Sequence, residues 1–502
     1  MTEGILVREM MADPLLSSYS VIMVDEVHER SVYTDILLGL LRKIVRKRPD
    51  LRIIISSATL EAEILRDFFN TNESKNSSKD TATIISVEGR NFPVDIHYVF
   101  EPVPDYVQAS VDTVIKIHRF ESGGGILVFL TGQEEVEHVV RLLIDYARTL
   151  KKKSTDRKLL ILPLYAALPA TDQMKVFKSV PRHVRKVIVA TNIAEASLTI
   201  SGISYVVDCG FVKLRWYNSN TCTDCLVVVP VSQASADQRA GRAGRVRSGK
   251  TYRLYTEEDF LKLPAQTCPE IQRSSLASVI LQLKTLGIEN ILRFNFPAAP
   301  PSKNVINALE LLYALEALDD NGQLTSPLGL RMSEFPLHPM FAKMLLVSGN
   351  FECSEEALII AAMLQVENIF TSPPGQGLQA RKAKYRFSVT EGDHITLLNV
   401  YNAFIKENKS KKWCGQHFLN YKGLMRAEEI RKQLSKLLTK FKIPLKTSEG
   451  DVDAVCRCIV AGFFANAAYL HYSGVYKTIR GDHTLYIHPS SVLYSQKAPE
   501  CV

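Results

Sequence analysis

Two adjacent carboxylates follow a short apolar run near the start of the sequence. Asp25 and Glu26 come directly after the residues VIMV, and His28 lies two positions beyond Glu26. In open α/β sheets, ligands bind at the carboxyl ends of the strands. Carboxylates in that position can hold Mg²⁺ and orient an attacking water. The stretch therefore predicts part of a phosphate-handling site, with a solvated acidic turn as the alternative.

The strongest chemical signal is QRAGRAGR, residues 238–245. Arg239, Arg242 and Arg245 recur every three residues, with a glycine before each of the last two. Arginine can spread the charge that develops on a transferring phosphoryl group. A generic basic patch for nucleic acid is the alternative, and the regular spacing behind the leading Gln238 argues against it.

Residues 244–251, GRVRSGKT, match the phosphate-loop pattern G-x-x-x-x-G-K-[ST]. A genuine loop of this kind follows a strand and opens a helix, whose N-terminus faces the phosphate. Here the string follows an Arg/Gly turn and precedes TYRLYT, which has the pattern of a strand. We therefore reject a phosphate loop here and predict that Lys250 and Thr251 begin a strand.

Hydroxyl and amide residues follow two further predicted strands. Ser57 and Thr59 come after LRIII, and they can link a nucleotide site to a neighbouring domain, with an ordinary strand end as the alternative. Thr191 and Asn192 follow RKVIVA and can donate hydrogen bonds to a nucleic-acid backbone. A helix N-cap is the alternative for this pair.

The composition is that of a globular protein with several domains. A chain of 502 residues is too long for one hydrophobic core and predicts three to five domains. The net charge of +8 permits a polyanionic partner without proving one. Nine scattered cysteines without zinc spacing favour a reduced, intracellular compartment. The sequence has neither a signal peptide nor an apolar run of membrane-spanning length.

The order of predicted elements indicates an α/β protein followed by helices. Strand and helix patterns alternate through the first 258 residues, which predicts parallel sheets. Residues 213–230 break that rhythm, and the Asn-Ser-Asn at their centre predicts a β-hairpin. Residues 259–440 have mostly helical patterns, and residues 453–472 return to strand-like alternation.

Five motifs in this order resemble those of the DEAH-box RNA helicases of superfamily 2, with most similarity to the spliceosome-associated subgroup: DEVH, SAT, FLTGQEEVE, TNIAEASLTISG and QRAGRAGR. The resemblance covers essentially the whole chain. It implies an ATP-dependent helicase that moves 3′ to 5′ on single-stranded RNA, with ATP and Mg²⁺ as cofactors. A non-enzymatic RNA-binding or scaffold protein derived from a helicase is the alternative.

The resemblance also implies the architecture, an α/β multidomain fold with two RecA-like parallel-sheet domains. The expected domains are an incomplete first RecA-like domain over 1–90, a second over 91–258, a winged helix over 259–326, a helical ratchet bundle over 327–440 and a truncated OB-fold over 441–502. The sequence begins at what resembles the family's TEG motif. We therefore expect the phosphate-binding loop to lie upstream of Met1, and a polypeptide without it to be catalytically impaired.

Site roles are carried over residue by residue from the resemblance. Catalytic roles, with Mg²⁺ held by the two carboxylates, fall on Asp25, Glu26, His28, Gln238, Arg242 and Arg245. Coupling of hydrolysis to unwinding falls on Ser57 and Thr59. Nucleotide contacts fall on Arg239 and on Phe177, for which a core position is the alternative. RNA-backbone contacts fall on Thr2, Thr131, Thr191 and Asn192.

Two further segments and the cellular setting also follow from the resemblance. The hairpin at 213–230 resembles the family's strand-separating wedge, and residues 484–493 resemble the OB-fold segment near the RNA entrance. The expected partners are single-stranded RNA or an RNA duplex, with spliceosomal or activator proteins and no membrane. The expected location is the nucleus.

Overall fold

The computed structural model describes residues 1–58, 62–72, 74, 76–87, 92–150, 158–181, 183–195, 199–366, 368–373, 375–495 and 499–502. The chain forms two compact units. The α/β unit comprises Ser18–Tyr217 and Asp224–Ser274, and the C-terminal unit comprises Met1–Ser17, Asn218–Thr223 and Ser275–Val502.

The helices and strands are numbered in chain order. The helices are α1 Glu3–Glu9, α2 Val32–Lys47, α3 Ala62–Phe69, α4 Tyr106–Phe120, α5 Gln133–Leu150, α6 Ala170–Gln173, α7 Gln233–Gly241, α8 Glu257–Lys262, α9 Glu270–Arg273, α10 Ala277–Thr285, α11 Ser302–Ala314, α12 Leu328–Glu334, α13 Pro339–Val347, α14 Ser354–Met363, α15 Gly377–Tyr385, α16 Asp393–Lys406, α17 Lys411–Gln416, α18 Tyr421–Lys440 and α19 Val452–Phe463. The strands are β1 Val21–Val24, β2 Arg52–Ile55, β3 Val94–Tyr98, β4 Gly125–Phe129, β5 Lys158–Leu164, β6 Val184–Ala190, β7 Ile203–Asp208, β8 Phe211–Asn218, β9 Thr223–Pro230, β10 Gly249–Arg253, β11 Ala468–Leu470, β12 Tyr476–Thr478 and β13 Thr484–Leu485.

A six-stranded parallel sheet forms the centre of the α/β unit, in the order β3-β10-β7-β4-β6-β5. The central strands β4 and β7 are buried along their whole length. Parallel strands covered on both faces have continuous apolar sequences rather than alternating ones. The predicted parallel α/β architecture is therefore confirmed for this part of the chain. It brings the residues that follow β4, β6 and β7 to one edge of the sheet.

The strands β1 and β2 pair in parallel, from Val21 opposite Arg52 to Val24 opposite Ile55. Successive side chains point to opposite faces of a strand. Ile22 and Val24 are accordingly buried, whereas Val21 is 52% exposed. The predicted strand before the two carboxylates is thus confirmed, and its carboxyl end lies beside that of β2.

The hairpin and the strand at Lys250 are also confirmed. The strands β8 and β9 form a two-stranded sheet, and Arg215 pairs with Asp224 across it at 2.6 Å. The strand β10 contains Lys250 and Thr251, and it lies between β3 and β7. The Lys250 ammonium group lies 2.8 Å from the Glu121 carboxylate. The string GRVRSGKT therefore leads into the middle of a sheet instead of opening a helix.

The C-terminal unit is largely helical, as predicted for residues 259–440. Helix α14 packs against α16 and α18, and α13 packs against α19. The predicted strand-like alternation at 453–472 is wrong for its first half, because Val452–Phe463 form α19. The Asp451 side chain caps this helix by accepting from the Ala454 amide at 3.0 Å. Gly462, which has no Cβ, lets the helix approach the Met340 carbonyl of α13.

The three short strands β11, β12 and β13 form an antiparallel sheet near the C-terminus. They lie within the predicted OB-fold, but three strands do not establish that fold. The segment after β13 packs onto the start of α16, where Asp393 accepts from the Ser491 hydroxyl at 2.5 Å and from the Val492 amide at 3.0 Å. Among the helices described, none is long and apolar enough to cross a membrane.

The acidic residue Glu428 of α18 is buried between cationic partners. It accepts from the Tyr401 hydroxyl and lies 3.0 Å from Lys409 and 3.3 Å from Lys432. Burial raises the pKa of Glu428, but these three donors outweigh it and lower the pKa to about 2. Because the folded-state pKa lies below the ordinary value of 4.5, Glu428 stabilises the fold above that pH, and the stabilisation is lost as the pH falls toward 2.

We expect Glu428→Gln to lower the free energy of unfolding by about 2–3 kcal/mol at pH 7, because it removes this charge from its partners. The difference from the parent should shrink as the pH falls below 4.5. Urea unfolding of both proteins between pH 3 and 7 measures it. The neighbouring Glu429 is exposed, so Glu429→Gln is the matched control and should change little. A pH-independent difference for Glu428→Gln would contradict the assignment.

Candidate active site

The turn after β1 presents the two predicted carboxylates. Asp25 and Glu26 are both exposed, and Glu26 has a left-handed backbone with φ of 52°. The next residue, Val27, is fully buried and anchors the turn. Its amide donates to the Ser56 carbonyl at 3.1 Å, while the Ser56 amide donates to the Val24 carbonyl at 2.9 Å. The end of β2 thereby holds the carboxylate turn in place.

The Asp25 carboxylate is set up to stay ionised. The Ser56 hydroxyl and the Glu26 amide, the latter at 2.9 Å, donate to it and lower its pKa, and His28 adds to the effect. Sequence reasoning named Ser57 and missed Ser56. Ser56 lies directly before the SAT motif, and that position was the available signal. Neighbouring side chains of an extended chain point in opposite directions, so naming Ser57 did not identify Ser56.

His28 links the carboxylate turn after β1 to the SAT motif after β2. Its Nδ1 accepts from the Ala58 amide at 3.2 Å, so the ring proton lies on Nε2. That Nε2 is 3.2 Å from the Glu26 carboxylate, and the His28 side chain is only 6% exposed. Ser57 is half-buried beside this contact, and Thr59 lies outside the described residues.

Arg239 lies in the core of the second domain, which differs from the predicted nucleotide contact. Its side chain is 1% exposed, with Nη1 2.7 Å from Asp208 and Nε 2.9 Å from Glu195. Burial lowers the pKa of Arg239, but the charges of Asp208 and Glu195 outweigh it and raise the pKa above the ordinary value. The guanidinium group therefore connects α7 to Asp208 at the end of β7 and to Glu195, instead of reaching a ligand at the surface.

Arg242 and Arg245 lie just beyond α7, where Arg242 is half-buried and Arg245 is exposed. Arg242 donates to the Glu195 carbonyl, and Arg245 Nη1 lies 2.7 Å from the Thr199 hydroxyl. Gln238 is half-buried one helical turn before Arg242, so the two residues share a face. The motif thus places Gln238 and Arg242 on one face at the end of α7, with Arg245 in the turn that follows.

Charges from both predicted halves of the site act on Arg242. Burial, together with the charge of Arg245, lowers the pKa of Arg242 to about 10. Glu195 and Glu26 oppose that shift. Glu26 belongs to the carboxylate turn and Arg242 to the arginine motif, so the charge of one motif acts on the other.

Glu195 is a residue of the candidate site that the sequence analysis did not name. Its carboxylate accepts from the Ser235 hydroxyl and from Arg239, and its carbonyl accepts from Arg242. One residue thus fixes α7 at two points and orients the arginine that follows the helix. Its place inside TNIAEASLTISG was a signal, but no pattern in the sequence distinguishes it from its neighbours.

The four residues predicted to contact RNA differ in their exposure and in their hydrogen bonds. Thr191 precedes a 3₁₀ turn at Asn192–Ala194 without capping it through its side chain, and Asn192 is exposed. Thr131 is 6% exposed and donates its hydroxyl to Glu135 at 2.8 Å, so it anchors its loop instead of facing solvent. Thr2 is exposed before α1 and belongs to the C-terminal unit.

The predicted adenine-stacking residue and one motif glycine pack within the second domain. Phe177 is half-buried and packs against the apolar cluster that contains Leu127 and Ile188. This placement agrees with the core alternative and leaves part of the ring exposed. A Cβ at Gly244 would meet the Phe92 carbonyl, so this glycine serves close packing of the chain before β3 instead of an approach to phosphate.

The carboxylate turn is suited to a cation shared with a phosphate group. Among the described residues, no cluster of three or more His, Cys, Asp or Glu side chains can hold a metal ion alone. Mg²⁺ in nucleotide sites is held by one or two carboxylates together with phosphate oxygens and waters. Asp25, which is ionised and exposed, and the adjacent Glu26 match that donor set.

Comparison with known proteins agrees with this geometry. The profile described as helicase conserved C-terminal domain matches residues 109–247. Two profiles for the helicase-associated domain (HA2) match residues 308–337, described as winged-helix, and 338–397, described as ratchet-like. The protein named "Probable ATP-dependent RNA helicase DHX35" in Homo sapiens is 63% identical over 502 residues, which are 100% of this chain and 71% of the human protein.

The chain belongs to the DEAH-box family of ATP-dependent RNA helicases. The protein of the same name in Pongo abelii is 64% identical over 100% of this chain and 70% of its own length. The "Probable ATP-dependent RNA helicase DHX35 homolog" of Caenorhabditis elegans is 54% identical over 506 residues, covering 100% of this chain and 69% of its own length. The helicase motifs therefore lie on the elements described above, with DEVH after β1 and QRAGRAGR on α7 and the turn that follows it.

Proposed function

We propose that the carboxylate turn and the arginine motif form the two sides of a site for ATP hydrolysis. The observations that carry this proposal are the exposed carboxylate turn held at the end of β1, and Arg242 and Arg245, which the Glu195 carbonyl and the Thr199 hydroxyl hold beyond α7. Gln238, Arg242 and Arg245 would contact the γ-phosphate from the second domain. In this proposal Arg239 and Glu195 act indirectly, because they fix α7 and the orientation of Arg242.

Asp25 and Glu26 would hold Mg²⁺, which neutralises charge on the phosphates when it is bound. The hydrogen bonds from Ser56 and the Glu26 amide keep Asp25 ionised, so the carboxylate needs no deprotonation before it binds a cation. His28 donates its Nε2 proton toward Glu26 and fixes the direction of that carboxylate. An oriented Glu26 would then position the attacking water.

We propose that the protein moves 3′ to 5′ on single-stranded RNA in pre-mRNA splicing and acts in the nucleus with spliceosomal or activator proteins. ATP binding would bring the two RecA-like domains together, and hydrolysis would let them separate. The hairpin β8–β9 would separate strands, and an OB-fold over 441–502 would help to hold the RNA. The family resemblance of the motifs supports these roles.

A non-catalytic RNA-binding role is the second candidate for a polypeptide of these 502 residues. The observation in its favour is that the string GRVRSGKT leads into β10 and provides no helix N-terminus for a phosphate. RNA-stimulated ATP hydrolysis distinguishes the two roles, since a scaffold would bind RNA without turnover.

Single-stranded RNA should bind to the 502-residue protein and dissociate steeply as salt rises, because contacts to phosphates release counterions. Binding should depend little on RNA sequence, since backbone contacts position the RNA without specifying bases. Fluorescence anisotropy with labelled RNA across a salt series measures both properties, with a thermal transition as proof of folding. Asn192→Ala should weaken binding several-fold, by about 1 kcal/mol. A folded protein without salt-dependent affinity would contradict the helicase and scaffold roles alike.

A further inference from the structure

The short helix α9 touches the segment that follows the DEVH motif. The Glu270 amide donates to the Arg30 carbonyl at 3.0 Å, and the Glu270 carboxylate accepts from the Val32 amide at 3.0 Å. Val32 is the first residue of α2, where backbone N–H groups have no partner within the helix. A carboxylate at a helix N-terminus is also favoured by the helix dipole. Glu270 therefore holds the start of α2, four residues beyond His28.

The corner that Glu270 contacts is also held by hydrogen bonds that do not involve Glu270. The Ser31 side chain caps α2 by accepting from the Thr34 amide at 3.1 Å. Arg30 has a left-handed backbone with φ of 48°, and its Nε lies 2.8 Å from Asp35, which is fully buried. Removing the Glu270 side chain should consequently leave α2 folded while it breaks the side-chain bond between α9 and Val32, so that only the backbone bond to Arg30 holds α9 at this corner.

The same helix touches the base of the hairpin. Arg273 Nη1 donates to the Arg215 carbonyl of β8 at 3.0 Å, and Arg273 Nε donates to the Cys268 carbonyl at 3.2 Å. Asp224, which pairs with Arg215 across the hairpin, raises the pKa of Arg215, and the charge of Glu270 adds to that effect against burial. Ile271 is fully buried and fixes α9 between its two contacts.

We propose that Glu270 and Arg273 are positioning residues that connect movement of the DEVH turn to movement of the hairpin. The proposal deepens the proposed function, since it rests on the hairpin as the element that separates strands. Coupling between distant sites requires a physical element that both sites bias. Helix α9 is such an element because one of its ends is bonded to the corner after DEVH and the other to β8.

Hydrogen exchange tests the link in the 502-residue protein without any enzymatic activity. In Glu270→Ala, the backbone amides of β8 should exchange about 5-fold faster or more. Glu270 makes its own hydrogen bonds to Arg30 and Val32, so such an effect on β8 would pass through α9. Glu258→Ala is the matched control, because Glu258 is 77% exposed on α8 and pairs with Lys262. Unchanged exchange in β8, in a variant with the parent's thermal transition, would overturn the proposal.

A second experiment measures coupling during turnover, in an extended protein that carries a phosphate-binding loop before these 502 residues. Glu270→Ala and Arg273→Gln should each lower the duplex unwound per ATP hydrolysed by about 5-fold or more, with kcat for ATP within about 2-fold of the parent. The double variant should be no worse than the poorer single variant, because both act on one link. Glu270→Gln keeps an acceptor for the Val32 amide and should restore most of the coupling.

Parallel losses of unwinding and ATP hydrolysis, or additive losses in the double variant, would overturn the link. Arg148→Gln is the control for Arg273, since Arg148 is 72% exposed and pairs with Asp145. A parent protein that hydrolyses ATP without unwinding RNA would contradict the proposed function of the hairpin. Hydrogen exchange would still decide whether α9 joins the DEVH corner to β8.

Discussion

A polypeptide limited to these 502 residues is expected to hydrolyse ATP far more slowly than ~1 s⁻¹, the low end of ordinary enzyme rates. ATP hydrolysis of this kind depends on backbone N–H groups and a lysine that cradle the phosphates. The carboxylate turn and the arginine motif provide other parts of such a site but no cradle. Colorimetric phosphate release with and without single-stranded RNA measures the rate.

The phosphate-loop string at residues 244–251 does not provide such a cradle. Gly249 lies against backbone oxygens of Ala243 and Ser204, so the chain has no room there for a phosphate. Lys250 is already paired with Glu121, and Thr251 is fully buried in the sheet. The positive control is the extended protein with a phosphate-binding loop, which should turn over at ~1 s⁻¹ or faster. RNA-stimulated turnover at that rate by the 502-residue protein itself would refute the expectation.

The parallel sheet and the hairpin were predictable because their signals are local. Buried parallel strands have continuous β-branched runs, as in residues 184–190, and turn residues such as Asn218-Ser219-Asn220 mark a hairpin without any knowledge of the rest of the fold. The strand at Lys250 was predicted for a similar reason, since the residues on both sides of the phosphate-loop string have the wrong pattern for a loop that opens a helix.

Helix α19 was not predictable in the same way. Its apolar residues fit a period of two as well as one of 3.6. Packing against α13 and the cap by Asp451 decide in favour of the helix. Short apolar runs are ambiguous between helix and strand when periodicity is the only signal.

The sequence does not predict which of the three arginines in QRAGRAGR is buried. Arg239, Arg242 and Arg245 are equivalent in the sequence, but only Arg239 is buried. Its burial depends on Asp208 and Glu195, which lie 31 and 44 positions earlier in the chain. A guanidinium group is buried only where paired carboxylates offset its desolvation. That pairing depends on the tertiary fold, which a repeat of three residues does not encode.

In the extended protein, Arg242→Ala and Arg245→Ala should each lower kcat for ATP by roughly 10³-fold or more while sparing RNA binding. Arginines that stabilise the transferring phosphoryl group have effects of this size. Arg242 is directed by the Glu195 carbonyl and Arg245 by the Thr199 hydroxyl, so both guanidinium groups are held in place before nucleotide arrives. Single-turnover and steady-state ATP hydrolysis, with RNA anisotropy in parallel, measure the two effects.

Arg247 provides the matched control for this experiment because it lies on the same turn but at the other end of the sheet. Its Nε lies 2.7 Å from the Ser204 hydroxyl, and it also donates to the Gly123 carbonyl, both near the amino ends of β7 and β4. Arg247→Ala should therefore leave kcat within a few-fold of the parent. Arg242→Lys keeps the charge but loses the planar fork of donors, so it should restore only a small part of the rate. If Arg242→Ala or Arg245→Ala behaved like Arg247→Ala, the residue concerned would not contact the γ-phosphate.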